Sequence, residues 1–304
     1  MRLRRRDVLS IVLIACLSAC IGVRKTVVVV SGERHMPERV KGATLRVASF
    51  NILMSGNKKF PWEERREAVA DCLRDIAPDV FGVQEALFPQ LQYLCDALPS
   101  YTCVARGRDN GHTGGEAMGL FYRTSRFILK RAEVFWLSDT PDVAGSNTWG
   151  AACVRCATVA VLIDRTDGTS VGVCDTHLDH ISAPAREKGA RLIRQRLSTY
   201  GSGLAWVVTG DFNTRPGSAP HVALVGDEPG RVPLVDTFAA VHPTAPPDTR
   251  SFHGYSDSKN QSRIDWILAG PEFTPLAAGI NQFQYRGRLP SDHFAVWADL
   301  KRAK

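Results

Sequence analysis

Six short runs in this chain carry side chains that hold hard cations or move protons. They are Phe50-Asn51, Gln84-Glu85, Thr176-His177-Leu178, Gly210-Asp211-Phe212-Asn213, Arg263-Ile264-Asp265 and Ser291-Asp292-His293. Carboxylate and amide oxygens are the ligands Mg²⁺ prefers, and imidazole changes charge near neutral pH. No thiolate or histidine group with zinc spacing accompanies these runs. Asp211 and Asn213 stand two apart, so in extended chain both face the same side. Each run alone has an ordinary structural explanation: an Asx residue after a strand is usually a turn former, a lone glutamate is surface, and Ser-Asp-His caps a helix. Six such runs in order at strand ends are another matter, because buried acids and amides are costly unless they bind something or one another. They argue for a single site.

The elements that must position these runs follow from periodicity. Strand-like segments are Leu45 to Asn51, Asp79 to Glu85, Met118 to Tyr122, Ile128 to Leu137, Val154 to Ile163, Ser170 to His177, Leu204 to Asp211, Ile264 to Leu268 and His293 to Leu300. Trp62 to Ile76 reads as a helix: Pro61 and two glutamates open it, Val69, Cys72, Leu73 and Ile76 recur at helical spacing, and Pro78 stops it. Pro184 to Thr199 and Ala219 to Val225 are further helices, while Gly107 to Gly115 and Asp139 to Gly150 read as loops. Many strands with few helices suit two packed sheets flanked by helices better than a doubly wound parallel sheet.

The chain has 304 residues, 44% of them apolar, and a formal charge of +7. Residues 1–19 hold four arginines and one aspartate, which leaves +4 for the rest, far from the charge density of a nucleic-acid coat. An arginine-rich start followed by the apolar run Val8 to Leu17 reads as an export signal too short to span a bilayer. Leu17-Ser18-Ala19-Cys20 looks like a bacterial lipobox, and Arg5-Arg6 resembles a twin-arginine signal. The expected organisation is a signal peptide at 1–19, a lipidated Cys20 with a linker over 20–43, and a catalytic domain over 44–304. The expected location is a membrane-anchored lipoprotein facing the periplasm or the cell surface. Six further cysteines, Cys72, Cys95, Cys103, Cys153, Cys156 and Cys174, permit disulfides in such a compartment without fixing their connectivity. The Cys153-x-x-Cys156 spacing sits in a strand-like run with no second ligand pair, which argues against zinc.

Taken together, the runs resemble the endonuclease/exonuclease/phosphatase superfamily, whose members include deoxyribonuclease I, exonuclease III-like repair enzymes, bacterial sphingomyelinases, inositol polyphosphate 5-phosphatases and deadenylases. The resemblance spans about Leu45 to Leu300. It implies a four-layered α/β sandwich, two mixed sheets face to face with helices outside, and a site at one end of the sheets. It also implies hydrolysis of a phosphoester by in-line attack of water with a divalent metal, Mg²⁺ first and Mn²⁺ or Ca²⁺ as alternatives. Glu85 would be the main ligand, supported by Asn51. Asp211 would orient or activate the water, and Asn213 would donate to phosphoryl oxygens. His293, paired with Asp292, would contact the phosphate or activate water. His177 matches the second family histidine and Asp265 a carboxylate beside the site. Glu116 resembles the glutamate that pairs with that second histidine, where it would hold the tautomer of His177 and raise its pKa for general-acid work. Arg155 would clamp phosphate or pair with a structural carboxylate.

Substrate is the weakest inference, since one fold serves many. Arg106, Arg108, His112, Lys58 and Lys59 are the loop residues that a nucleic acid would meet. No exposed-looking aromatic hairpin of the kind that enters lipid is evident. The partners expected are a phosphoester, with nucleic acid among the candidates, and a membrane through the lipid anchor, with no protein partner implied. The alternative is a surface lipoprotein of the same fold that binds a phosphate ligand without cleaving it.

Overall fold

Alternation along the strands dictates the layers. The computed structural model describes residue 36 and residues 38–201, 203–244, 249–256 and 262–303. The expected signal peptide and Cys20 lie outside the described residues. One sheet contains β1 (Leu45–Asn51), β2 (Val80–Ala86), β3 (Tyr101–Val104), β4 (Ala117–Arg123), β11 (Phe273–Asn281) and β12 (Ala295–Arg302). The other contains β5 (Phe127–Trp136), β6 (Cys156–Asp164), β7 (Ser170–His177), β8 (Ala205–Asp211), β9 (Val235–Asp236) and β10 (Asp265–Ala269). Their orders are β11-β12-β1-β2-β4-β3 and β5-β6-β7-β8-β10-β9. Both are mixed: β1 runs parallel to β2 and β7 parallel to β8, with antiparallel neighbours elsewhere. The helices are α1 (Trp62–Ile76), α2 (Phe88–Ala97), α3 (Ala183–Ser198), α4 (Ala219–Val225) and α5 (Thr237–Val241).

Three apolar clusters separate four layers, which is the α/β sandwich that the family resemblance implies. Val69, Leu73 and Ile76 of α1 and Leu94 of α2 pack on Phe50, Phe81 and Phe121 of the first sheet. Val47, Val80 and Leu120 face Val173, Val207 and Ile267 between the sheets. Ile193 and Leu197 of α3 and Leu224 of α4 cover Trp206 and Trp266 on the far side. Each such fully buried Leu, Ile or Phe contributes roughly 1.5–3 kcal/mol. Helix α1 starts at Pro61, places Glu63 and Glu64 in its first turn, and ends on Ala77 in the left-handed conformation, whose N–H caps Leu73 O.

Five elements escaped the sequence reading, α2, β3, β9, α5 and β11, and three of them show why. Strand β11 carries Pro275, which ordinarily argues against a strand; here it lies on an edge and at a bulge between Pro275 and Ala277, where a missing N–H costs little. Strand β3 is a short edge of half-buried residues, and α2 follows β2 after one residue, so neither announces itself by a loop.

The same alternation aims the site. Inner-face residues of β1 run 45, 47, 49, 51, so Asn51 is the last inward side chain of its strand. On β7 and β8 the inward series end in Asp175 and His177, and in Thr209 and Asp211, while β10 begins its series with Asp265. Register places His177 opposite Asp211 and Asp211 opposite Asp265. One end of the sandwich therefore collects the polar residues.

Candidate active site

Beneath these residues lies a polar layer between the sheets. Gln84 Nε2 donates to Ser49 Oγ at 3.1 Å and to Asp175 Oδ1 at 2.7 Å, and Thr209 Oγ1 donates to the same Asp175 oxygen at 2.7 Å. Burial drives the Asp175 carboxyl well above the usual range, and its Oδ2 has no hydrogen-bond partner among the described residues. Gly82 is required here because a Cβ would stand 2.1 Å from Asp175 Oδ1.

Glu85 reaches the site by a backbone device. Strict alternation after Phe81 and Val83, which face α1 and α2, would turn it outward. A register shift between Val83 and Ala86 and a left-handed φ of 60° at Glu85 re-aim it. Its carboxylate then accepts from Asn51 Nδ2 at 3.0 Å and from Met54 N at 3.2 Å. Asn51 Nδ2 also donates to Asp211 Oδ2 at 3.0 Å, while Asn51 Oδ1 accepts from Leu53 N.

Asp211, Asp265 and His293 form the centre, their ligand-capable atoms all within 4.8 Å of one another. His293 Nδ1 donates to Asp265 Oδ2 at 2.9 Å, and its Nε2 lies 3.7 Å from Asp211 Oδ2. Burial alone would lower the His293 pKa, but Asp265 and Asp211 outweigh it and hold the ring as an imidazolium. Burial, then the neighbouring Asp265, pushes Asp211 up. The expected partner of His293, Asp292, is instead half-buried, takes the Ser291 hydroxyl at 3.3 Å, and lends its carbonyl to His253 N and Gly254 N. Adjacency in sequence suggested Asp292; both residues lie in the segment before β12, and it is the start of β10 in the other sheet that supplies the bonded carboxylate, Asp265.

A second correction concerns His177. Glu116 does not bond it: a bidentate pair with Arg108, at 2.6 and 3.1 Å, occupies that carboxylate. Asn213 takes the role of holding the ring. Its Nδ2 donates to Leu178 O at 3.1 Å, which fixes the amide, and meets His177 Nε2 at 2.9 Å. The same Nε2 lies 3.4 Å from Asp211 Oδ2, and Nδ1 is buried without a hydrogen-bond partner among the described residues. Burial, then Arg155 and Arg108, drives the His177 pKa well below the ordinary value, opposite to the expected rise. Asn213 itself is not in extended chain; β8 ends at Asp211, and Asn213 adopts φ 49°, donating its N–H back to Asp211 Oδ1.

Arg155 lies near the same wall, ion-paired with Asp179 at 3.7 Å and bonded to His180 Nδ1 at 3.0 Å, with Nε and Nη1 lacking hydrogen-bond partners. Arg263 is structural: it clamps Asp236, which caps α5. Lys58, Lys59, Arg106 and His112 are exposed on loops.

Two contributors were not foreseen. Arg65, 5% exposed, donates to the carbonyls of Ile52, Leu53, Met54, Phe60 and Pro290, tying the segment after Asn51 to the one before Ser291. Its place on the apolar stripe of α1, three residues after Trp62 and four before Val69, was a readable signal. Phe252, half-exposed, lays its ring 4.9 Å from that of His293; nothing in the sequence marked it.

The family model of the endonuclease/exonuclease/phosphatase family matches residues 48–293. The chain belongs to that family. Among solved structures it is 31% identical to an endonuclease/exonuclease/phosphatase from Bacteroides vulgatus, covering 85% of this chain and 99% of that one at a TM-score of 0.78. It is 30% identical to a mannosyl-6-phosphatase of Bacteroides thetaiotaomicron, covering 84% and 99% at 0.76. A family protein from Bacteroides thetaiotaomicron is also 30% identical, covering 84% and 97% at 0.75.

The donor set of this family member suits a hard divalent cation. Glu85, Asp211 and Asp265 crowd three carboxylates together, and Asp265 Oδ1 is buried without a hydrogen-bond partner. Oxygen-rich, anionic and incompletely satisfied, the group together with His293 offers ligands for a divalent cation.

Proposed function

We propose that this chain is a divalent-cation-dependent hydrolase of phosphate monoesters, with a sugar phosphate as its first-choice substrate. The observation that carries the reading is the buried Asp265–His293–Asp211 relay beside Glu85 and Asn51. A phosphoester resists water because its own oxygens repel the nucleophile, so catalysis is charge neutralisation and alignment. A bound cation, held by Glu85 with Asn51 beside it, supplies the first.

The chain's residues do the rest. Asp211, raised above an ordinary carboxylate by burial and Asp265, is suited to take a proton from the attacking water. As the water oxygen bonds to phosphorus, the ester P–O bond breaks; the products are the alcohol and inorganic phosphate. The His293 imidazolium, oriented by Asp265, offsets charge on the phosphoryl oxygens. His177, kept neutral by burial, stands at the same end of the sheets with Nε2 3.4 Å from Asp211 Oδ2. Asn213 then acts as a positioning residue for that ring. Likeness to the mannosyl-6-phosphatase, at 30% identity over nearly its full length, supports the sugar monoester. The half-exposed face of Phe252 offers an apolar surface to a sugar ring. Within this reading the chain acts as an exported lipoprotein, as Leu17-Ser18-Ala19-Cys20 suggests.

The test is a panel with the full-length protein, comparing hexose 6-phosphates, DNA, RNA, sphingomyelin and phosphoinositides with Mg²⁺, Mn²⁺ and Ca²⁺. We expect the hexose phosphates to lead by at least tenfold in kcat/KM. A leading phosphodiester would overturn the monoester assignment, and no turnover of any substrate would favour the binding-only lipoprotein.

A further inference from the structure

Among the described residues six cysteines are free thiols, yet two of them are not alone. Cys95 lies two residues before the end of α2, and Cys103 is the third residue of β3. A tight turn joins the two elements, with Tyr101 N donating to Leu98 O, and both side chains pack against the cluster under α1 and α2. Their sulfurs are in hydrogen-bonding contact. Both are half-buried and so within reach of an oxidant, whereas Cys72, Cys156 and Cys174 are buried in the core. The Cys153-x-x-Cys156 spacing does not form the pair: Cys156 is enclosed by Met118 and Trp136.

We propose that Cys95 and Cys103 are a redox modification site, closing to a disulfide that staples the last turn of α2 to the edge strand β3. The inference is independent of the hydrolase reading. Contact with Cys103 lowers the Cys95 thiol to about 7, so Cys95 is the attacking thiolate near neutral pH. It attacks one sulfur of an external disulfide and releases the other as a thiolate. Cys103 then loses its proton to water and attacks the Cys95 sulfur of the mixed disulfide, expelling the second external thiolate. Two protein thiols are oxidised and one external disulfide is reduced to two thiols.

The position gives the bond a consequence. Strand β3 is the end strand of its sheet, paired with β4, and such an edge frays first. At the other end of α2, Gln90 accepts from Ser55 N at 2.8 Å and donates to Leu53 O at 3.1 Å, holding the loop that bonds Glu85. Stapling α2 thus steadies both the edge and the support of the site.

Full-length protein is treated with oxidised glutathione, remaining thiols are alkylated with iodoacetamide, and chymotryptic fragments are analysed without reduction. Cleavage after Tyr101 separates the two cysteines. We expect the Cys95 and Cys103 fragments to be recovered linked and to part on adding dithiothreitol. The oxidised protein should melt about 4–8 °C above the reduced one. Cys95→Ser and Cys103→Ser should each abolish that difference, and Cys153→Ser should retain it. Full alkylation of both cysteines after oxidation, a link from either to Cys153, or a linked pair with no rise in melting temperature would overturn the proposal.

Discussion

Asp265→Asn removes one negative charge and almost no volume from the centre of the site. In the native protein Asp265 is 1% exposed and its Oδ2 receives His293 Nδ1 at 2.9 Å. A hydrogen bond between charged groups contributes about 1.5–3 kcal/mol net. At 1.36 kcal/mol per tenfold, losing it should reduce kcat/KM by about 10- to 150-fold at neutral pH. The pH dependence gives a second readout. His293 is held at about 10, above its ordinary 6.5, because Asp265 and Asp211 outweigh burial. A pKa raised in the folded state contributes stability that is fully present below 6.5 and is lost as pH rises through about 10. In the asparagine variant burial is opposed mainly by Asp211, so the His293 pKa falls. The alkaline limb of kcat/KM then moves to lower pH, and the deficit in melting temperature should be larger at pH 6 than at pH 9.5. The assay is kcat/KM against pH at saturating Mg²⁺, with thermal melts at both pH values and Mg²⁺ titration by calorimetry. A loss under threefold with an unmoved alkaline limb would refute the orienting role. A tenfold weaker Mg²⁺ affinity would make Asp265 a metal ligand instead.

Other consequences follow from the supports. Burial raises the Asp175 carboxyl between the sheets, which costs stability as pH rises above 3.8 toward its elevated folded pKa; Asp175→Asn should therefore melt higher than wild type, with a larger gain at pH 8 than at pH 4.5. An equal or negative shift at pH 8 in a scanning calorimeter would contradict a raised Asp175 pKa. Arg65→Lys cannot reach the carbonyls on both sides that the guanidinium spans, and should cost about 2–4 kcal/mol by urea unfolding while lowering kcat more than it raises KM. A variant with native kinetics would leave Arg65 a purely structural clamp. Glu85→Gln should weaken Mg²⁺ binding at least tenfold with the fold intact, excess metal restoring part of the rate. Unchanged Mg²⁺ affinity would move the ligand elsewhere.

The sequence carried the frame because burial on alternate residues leaves a trace. Ser170 to His177 and Ala219 to Val225 match their elements at both ends, and Leu45 to Asn51 and Trp62 to Ile76 do likewise. Asn51, His177, Asp211 and Asp265 could be placed at one end of the sheets because each continues an inward-facing series. Pairings within the site were less legible. Which carboxylate meets His293 depends on how the start of β10 packs against the segment after Ser291 from the opposite sheet, and local sequence favoured Asp292 over Asp265. Glu116 lies beside the site in the chain, yet Arg108, eight residues earlier, captures it through a loop that no periodicity describes. Glu85 reaches the centre only through a bulge and a left-handed backbone, which side-chain alternation does not encode. The cysteines give the same lesson: six thiols allow fifteen connectivities, and only the packing of α2 on β3 singles out one pair.

The central claim is that this chain directs water to phosphorus in a cation-dependent site, and it is tested most directly by hydrolysing mannose 6-phosphate in ¹⁸O-labelled water. Released phosphate and sugar are analysed by mass spectrometry, with and without a chelator, for the wild type and for Asp211→Asn. The account predicts one ¹⁸O atom in the phosphate and none in the sugar, loss of release on chelation, recovery with Mg²⁺, and at least a hundredfold slower release from the variant. Label in the sugar hydroxyl, or release that survives both chelation and loss of Asp211, would contradict it.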